Sequence, residues 1–458
     1  MSLLDKVIEN LPEVTPPKKK KQTFKGKLRW TAVVLALYFL LTLIPLYGMA
    51  ENALEQFEFL STILGASFGS IVSLGIGPIV TASIVLQLLN GSGIINFDTS
   101  TSEGKRRFQG TQRILAVFFT VVESFVFVYL GGFIPEAGIS PLVLVAQLTL
   151  GGLFIIAMDD IISKYGFGSG VGLFIIAGVS QDIFLQLFNP FPDPANPAIA
   201  AGAIPAIYQS LTGQLADGAQ TAGLEGARIL GTIAIFFVVV YAQAMKVEIP
   251  LSFGRVKGHG VRWPLNFLYA NVIPIILVAA LMANIQLLAR LFESWGYPIL
   301  GTFAEQTPQS GFVMWVTPPD LLNNLVIGAL EPIMFGQALT YVLIYVIGAT
   351  VFSVFWVQTA GLDAKSQAKQ MMSSGLQVPG FRKDRRVLER LLKRYIGPLT
   401  VLGGISIGLL ASVADLLSVI GTGTGLLLTV MITYRLYEEI AKQHMYDMNP
   451  MMRKFIGG

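Results

Sequence analysis

Residues 57–89 have the sequence FEFLSTILGASFGSIVSLGIGPIVTASIVLQLL, in which a short, weakly apolar piece precedes a longer apolar run. An α-helix rises about 1.5 Å per residue, and the hydrocarbon core of a bilayer is about 30 Å thick. Phe57–Gly69 is therefore too short to span a membrane, whereas Ile71–Leu89 is long enough. Because backbone polar groups need partners inside a bilayer, the short piece is predicted to be re-entrant, interfacial or buried among other helices.

The composition of the whole chain also indicates a lipid environment. Of the 458 residues, 53% are hydrophobic and 13% are charged, whereas soluble domains carry about 25% charged residues. Apolar stretches of spanning length recur along the chain. Ten are predicted to cross the membrane: Trp30–Met49, Ile71–Leu89, Ile114–Ile134, Ile139–Met158, Phe167–Phe188, Ile229–Met245, Leu265–Leu288, Ile333–Val357, Pro398–Ile420 and Gly423–Tyr437.

The lysines and arginines set the predicted orientation. With ten spans, 30 of the 32 Lys and Arg residues lie on one side, and only Arg228 and Arg290 lie on the other. The positive-inside rule makes the rich side cytoplasmic, so both termini are predicted to be cytoplasmic. The stretch before Trp30 lacks a small-residue cleavage site after a short apolar core, so we expect a retained tail.

The predicted fold is an all-α polytopic membrane protein with two five-span halves. Five is odd, so the halves would have inverted topology. We expect a basic cytoplasmic tail over residues 1–29, a first half over 30–228 that includes an external surface loop at 189–228, a second half over 229–440 with basic cytoplasmic loops at 246–264 and 358–397, and a cytoplasmic tail over 441–458.

Three predicted spans place glycines beside large apolar residues. Gly75 and Gly77 flank Ile76, similar glycines flank Val171 in the fifth span, and others precede Leu428 in the tenth. Glycine allows another helix to approach closely, so ordinary helix packing explains this spacing as well as a specialised site does. The spacing alone leaves both interpretations open.

Ionisable residues are scarce at membrane depth. Glu123 is the clear case, whereas Asp182 and Asp415 lie near external helix ends and are predicted to be interfacial groups. The chain has no cysteine, and its two histidines, His259 and His444, lie far apart in polar stretches, so no metal site is expected. No phosphate-binding loop, nucleophile motif or zinc signature is present, so we expect neither an enzyme nor a cofactor.

Five motifs in this order closely resemble the SecY family of protein translocase channels, in the archaeal form related to the eukaryotic Sec alpha subunit. They are SLGIGPIVTASIVLQLL (73–89), SKYGFGSGVGLFIIAGVS (163–180), GLDAKSQAKQ (361–370), PGFRKD (379–384) and TGLLLTVMITYRLYE (424–438). The resemblance extends from about Leu11 to the carboxyl end. It implies a central pore between the two halves, with an apolar ring at its waist and a short plug helix outside it.

The same resemblance implies the residues of each part. Val171 stands where isoleucine is usual in the ring, which leaves its apolar character intact. The implied ring is Ile76, Val80, Val171, Ile175, Ile276 and Leu428. The implied plug is segment 57–69, with Phe57, Leu60, Ile63, Leu64 and Phe68. A lateral gate between spans two and three and spans seven and eight would contain Thr81, Leu86, Gln87, Glu123 and Asn284.

The implied function is movement of unfolded secretory polypeptides across the cell membrane and sideways release of transmembrane segments into lipid. Implied partners are a SecE-type gamma subunit and a small beta subunit in a heterotrimer, the ribosome, signal sequences, nascent polypeptides and membrane lipids. Ribosomal phosphates would attract the basic loops. Candidate docking residues are Arg255, Lys257, Arg382, Lys383, Arg385 and Arg386.

Two other classes of function stay open on the residues alone. A secondary transporter for a small solute could use Glu123 as its ion-coupling site, but such carriers normally show several ionisable groups at membrane depth. A structural scaffold for other membrane proteins has no positive feature in the sequence.

Overall fold

The computed structural model describes residues 13–15, 17, 23–52, 67–91, 93–95, 97, 101–129, 132–193, 197–213, 218–253, 260–270, 272–304, 307–373, 376–377 and 384–448. Within these ranges, a long helix overlaps each of the ten predicted spans. The ten helices are α1 (Phe24–Thr42), α2 (Gly77–Gly91), α3 (Ser102–Tyr129), α4 (Pro141–Tyr165), α5 (Gly170–Phe188), α7 (Gly218–Ala244), α8 (Ile273–Ser294), α11 (Pro332–Thr359), α13 (Arg385–Leu416) and α14 (Gly423–Met448).

Seven of these helices are long and apolar enough to cross a membrane by length and composition, namely α3, α4, α5, α7, α8, α11 and α13. The other three have local reasons for falling short. Helix α1 carries three cationic residues in its first two turns, α2 is only 15 residues long, and the second half of α14 is polar. Large apolar side chains such as Leu40, Leu230 and Leu339 are at least 60% exposed on the protein, as expected for lipid-facing positions.

Prolines explain where several helices differ from their predicted bounds. Helix α1 ends at Thr42 instead of Met49, since Pro45 lies just beyond it in extended backbone. Residues 70–76 form tight turns, and α2 begins only at Gly77, with Pro78 at its second position. Helix α8 likewise begins at Ile273, one residue before a proline, so the predicted start at residue 265 is wrong.

Short elements occupy the connections. Helix α6 (Ala203–Leu211) and the first turns of α7 lie inside the predicted external loop 189–228, so that loop is largely helical. Helices α9 (Gly311–Val316) and α10 (Leu321–Ile327) precede α11, and α12 (Ala364–Ser373) follows it. Strands β1 (Met49–Asn52) and β2 (Phe133–Pro135) form one antiparallel pair, and β5 (Phe303–Ala304) and β6 (Thr307–Pro308) form another.

The two basic segments at 246–264 and 358–397 contain folded elements instead of forming loops. Strands β3 (Lys246–Phe253) and β4 (Gly260–Asn266) make an antiparallel hairpin, and β7 (Leu376–Gln377) from the second segment adds to its edge. Ile249 and Leu251 of this sheet pack with Met371, Leu388 and Leu392 in a separate apolar core. The predicted loop 358–397 is therefore wrong, because it contains α12, β7 and the start of α13.

The main apolar core lies between the two halves of the chain. Helix α5 packs on α14, and α2 packs on both α8 and α11. These contacts join the halves in two separate zones. Glycines allow close packing within the second half, where a Cβ on Gly408 would lie 2.7 Å from the Tyr345 carbonyl oxygen of α11.

Candidate functional site

The six implied ring residues come together in the main core. Ile76, Val80, Ile175, Ile276 and Leu428 are each at most 5% exposed, and they belong to one apolar cluster. Val171 is partly buried and packs against the same cluster. These side chains come from α2, α5, α8, α14 and the turn before α2. An apolar constriction excludes ions only while its side chains keep water out.

The first turns of α2 and α8 have the same local construction. The sequence IGPIV (76–80) begins α2, and VIPII (272–276) begins α8. In each, the proline occupies a first-turn position that needs no N–H donor. The Val80 N–H donates to the Ile76 carbonyl (3.1 Å), and the Ile276 N–H donates to the Val272 carbonyl (3.3 Å). Val80 and Ile276 therefore occupy equivalent positions in the two halves.

The predicted gate residues lie on α2, α3 and α8. Leu86 and Gln87 are buried, and Glu123 of α3 lies close to Thr81 of α2. Asn284 is partly buried on α8, which packs against α2. A lone carboxyl group next to a hydroxyl can hold one arrangement of these helices and release it when the neighbours separate.

The plug segment is only partly described. Phe57, Leu60, Ile63 and Leu64 lie outside the described residues. Phe68 packs beside the cluster that contains Leu46 and Leu74. The Leu46 N–H donates to the Gly69 carbonyl (2.8 Å), so the end of the segment is tied to the chain just after α1.

The docking candidates fall at the start of α13 or outside the described residues. Arg255, Lys257, Arg382 and Lys383 lie outside the described residues, as does His259. Arg385 and Arg386 are exposed in the first turn of α13, where Asp384 accepts from the Arg386 N–H (2.8 Å). The sheet β4–β3–β7 thus holds both basic segments together as one surface.

The described part of the amino-terminal tail also contacts the carboxyl-terminal end of α4. Lys164 pairs with the Glu13 carboxylate and donates to the Val14 carbonyl (2.6 Å), and the Tyr165 hydroxyl donates to the Thr15 carbonyl (2.7 Å). The hydrogen bond from Lys164 lowers the pKa of Glu13, because it favours the charged carboxylate. Residues 13–15 therefore lie against the protein.

Sequence reasoning missed two aspartates beside the ring. Asp159 on α4 accepts from the Val171 N–H (3.0 Å). Asp415, predicted to be a simple interfacial group, accepts from the Thr424 N–H (2.9 Å), the Thr424 hydroxyl and the Tyr341 hydroxyl (2.7 Å). The signal that could have located them is the repeat of GSGVG (168–172) as GTGTG (421–425), each shortly after an aspartate.

No group of three or more His, Asp or Glu side chains that could hold a metal ion occurs within the described ranges. His444, one of the two histidines, packs edge-on against the ring of Phe24 (centroids 5.5 Å apart).

Comparisons with known proteins agree on one family. A family model described as SecY matches residues 70–437, and a model described as the plug domain of Sec61p matches residues 37–69. A protein translocase subunit SecY from Methanothermobacter thermautotrophicus is 46% identical over 452 residues, which cover 98% of this chain and 97% of that protein.

Solved structures agree as well. One described as the structure of a protein conducting channel has a TM-score of 0.83 and 39% identity, and the match covers 97% of this chain and 98% of that one. The channel in a canine ribosome–channel complex from the endoplasmic reticulum has a TM-score of 0.81 and 38% identity, with coverage of 97% and 98%.

Proposed function

Because the chain belongs to the SecY family of protein translocase subunits, we propose that its six ring residues seal the pore through which unfolded polypeptides cross the membrane. The observation that supports this proposal is that these side chains, from four helices and both halves, belong to one apolar cluster and are largely buried. Flexible aliphatic side chains can part around any polypeptide without recognising its sequence. The ring would thus act as a seal at rest and as a gasket during transport.

The proposed gate lies between α2 and α3 on one side and α8 and α11 on the other. Support comes from the packing of α2 on α8 and α11, which is one of two zones where the halves meet. A signal helix that separates this zone would open a path into lipid, with Glu123 and Thr81 as polar groups on its wall. Segment 57–69 would provide the second seal on the external side.

The proposed setting is the cell membrane, with both termini cytoplasmic and no enzymatic activity in this chain. The folded unit of β3, β4, β7 and α12 would present its positive charges to the ribosome, since rRNA phosphates attract Lys and Arg. A SecE-type gamma subunit and a small beta subunit would complete a heterotrimer, with signal sequences, nascent polypeptides and lipids as further partners. The alternative of a small-solute transporter coupled through Glu123 is not supported, since the matched relatives are translocase subunits.

The test of the seal is ion conductance of the closed, purified complex in planar bilayers. Replacing Ile76 and Val80 by serine adds hydroxyl groups that hold water in the constriction. We expect the open probability without substrate to rise about tenfold, equivalent to about 1.4 kcal/mol. A matched control is Ile156→Ser, a comparably buried change on α4 in a different cluster. A folded, export-competent serine variant as silent as the parent would show that these residues do not form the seal.

A further inference from the structure

Two ring helices, α5 and α14, begin with the same five-residue construction. In GSGVG (168–172) and GTGTG (421–425), the first glycine has a left-handed φ, +68° in Gly168 and +79° in Gly421. The second residue caps the helix. The Ser169 hydroxyl accepts from the Gly172 N–H (3.2 Å), and the Thr422 hydroxyl accepts from the Gly425 N–H (3.1 Å). The two helix starts are therefore equivalent in sequence, backbone and capping.

Each of these helix starts is held by an aspartate of the preceding long helix. Asp159 Oδ1 accepts from the Val171 N–H (3.0 Å), and Asp415 Oδ1 accepts from the Thr424 N–H (2.9 Å). The N–H groups of the preceding glycines also interact with these carboxylates. Each carboxylate thus accepts from N–H groups that have no partner within the helix.

The middle glycines show how close this contact is. A Cβ on Gly170 would lie 2.5 Å from the Asp159 Cα, and one on Gly423 would lie 2.2 Å from the Asp415 backbone nitrogen. Real Cβ atoms do not approach other atoms so closely, so only glycine fits at both positions. The start of each ring helix is therefore fixed directly against the aspartate-bearing segment.

The last glycines of the two segments make reciprocal contacts between the halves. A Cβ on Gly172 would lie 3.1 Å from Ile432 of α14, and one on Gly425 would lie 3.2 Å from Val179 of α5. Ile432 and Val179 each lie seven residues after the glycine of their own helix. Such reciprocity is what a two-fold relation between two surfaces requires. The same two-fold relation makes the ring residues Ile175 and Leu428 equivalent, because each lies three residues after the last glycine of its own segment.

We propose that Asp159 and Asp415 are a symmetry-related pair of positioning residues for the pore seal. Each fixes the start of one ring helix, and the reciprocal glycine contacts then set Ile175 and Leu428 at matching depths in the constriction. This inference rests on the proposed function, because it assumes that those side chains form the seal. The Thr424 hydroxyl, at the position equivalent to Val171, is bonded to Asp415 (2.6 Å), so it is not free to hold water in the pore.

The experiment measures closed-channel conductance and thermal unfolding for Asp159→Ala, Asp415→Ala and the corresponding asparagine variants of the purified complex. Alanine removes the acceptor and leaves backbone N–H groups without their partner, which is expected to raise the open probability about tenfold. Asparagine keeps one carbonyl oxygen as an acceptor, so it should restore most of the seal. The control is Asp160→Ala, since the neighbouring Asp160 pairs with Arg113 of α3.

Each outcome decides the proposal. Leaky alanine variants with rescue by asparagine and a silent Asp160→Ala support it. Silent alanine variants overturn it, whether or not they unfold earlier than the parent, as does an equal leak in Asp160→Ala or a leak that asparagine does not reduce. If the alanine variants do not assemble, Asp159→Glu and Asp415→Glu are measured against Asp160→Glu, because one more methylene displaces the acceptor from the N–H groups of the helix start and keeps the charge. A leak specific to the Asp159 and Asp415 variants supports the proposal, and its absence overturns it. The serine variant of Ile76 and Val80 separates the two failures: if it leaks while the aspartate variants are silent, only the positioning role fails.

Discussion

At the scale of single residues, the role of the Glu123 carboxyl group distinguishes a channel with a gate from an ion-coupled carrier. It lies close to Thr81, and the two residues are on α3 and α2, which border the proposed gate. Glu123→Gln keeps the length and hydrogen-bonding capacity of the side chain and removes the charge. We expect export to persist, with a changed preference between strong and weak signal sequences, because the closed gate is held differently.

The measurement compares export of substrates with strong and weak signal sequences, and proton flux in liposomes, for this variant and the parent. Glu225→Gln is the matched control, since Glu225 pairs with Arg228 away from the gate (3.1 Å). Complete loss of export accompanied by loss of a proton flux would instead favour the carrier.

The ring positions could be predicted because the resemblance to a family indicates them one by one, whereas the spacing of glycines alone leaves ordinary helix packing open. The structure places those predicted positions, such as Ile76 and Leu428, in the apolar core. Asp415 is different, because its place near a helix end is compatible with exposure to the interface. Its partners Tyr341 and Thr424 come from two other helices, and that contact depends on tertiary packing.

At the scale of elements, the folded unit of β3, β4, β7, α12 and the first turns of α13 is the proposed docking surface for a ribosome. Arg385 and Arg386 are exposed at the start of α13, directly after this sheet. Reversing both to glutamate should weaken ribosome binding and lower its logarithmic salt slope by about two, if each contacts one phosphate. Arg435→Glu, a charge reversal on exposed α14 surface outside this unit, is the control.

Binding is measured by co-sedimentation with ribosomes at several salt concentrations. Equal affinity and an equal salt slope for the double reversal and the parent would remove Arg385 and Arg386 from the docking surface.

Elements were predictable where one apolar stretch makes one helix, and less so where the chain pairs with a distant segment. The apolar pattern predicts α3, α4 and α11 with bounds that differ mainly at their ends. The hairpin of β3 and β4 was expected to be a loop, because Gly and Pro interrupt it and its apolar residues Ile249 and Leu251 are few. They are buried against α12 and α13, over 100 residues away in sequence, and such a contact leaves no local signal.

At the scale of the whole molecule, the two halves meet in two zones of different construction. The zone between α5 and α14 contains the reciprocal contacts of Gly172 and Gly425, where an added Cβ would lie 3.1 Å and 3.2 Å from the facing side chains. The zone between α2, α8 and α11 contains larger side chains and the polar groups of the proposed gate. The inverted halves predicted from the odd number of spans are consistent with this arrangement, since equivalent residues of α5 and α14 contact each other reciprocally.

This difference predicts that the halves pivot at α5 and α14 while the gate opens at α2. The chain has no cysteine, so a pair introduced as Gly172→Cys and Ile432→Cys can form only one disulfide within the chain. A Cβ at residue 172 would lie 3.1 Å from the Ile432 Cγ2, which is bonded to the Ile432 Cβ, and this is compatible with the roughly 3.5–4.5 Å between the Cβ atoms of a disulfide. We expect export to proceed at the same rate with the pair oxidised or reduced, because the locked contact belongs to the pivot.

The single-cysteine variants control for the loss of glycine and isoleucine, and gel mobility after cyanogen bromide cleavage reports the fraction cross-linked. If oxidation stops export and reduction restores it, the α5–α14 contact itself must separate for a polypeptide to pass, and the pivot lies elsewhere.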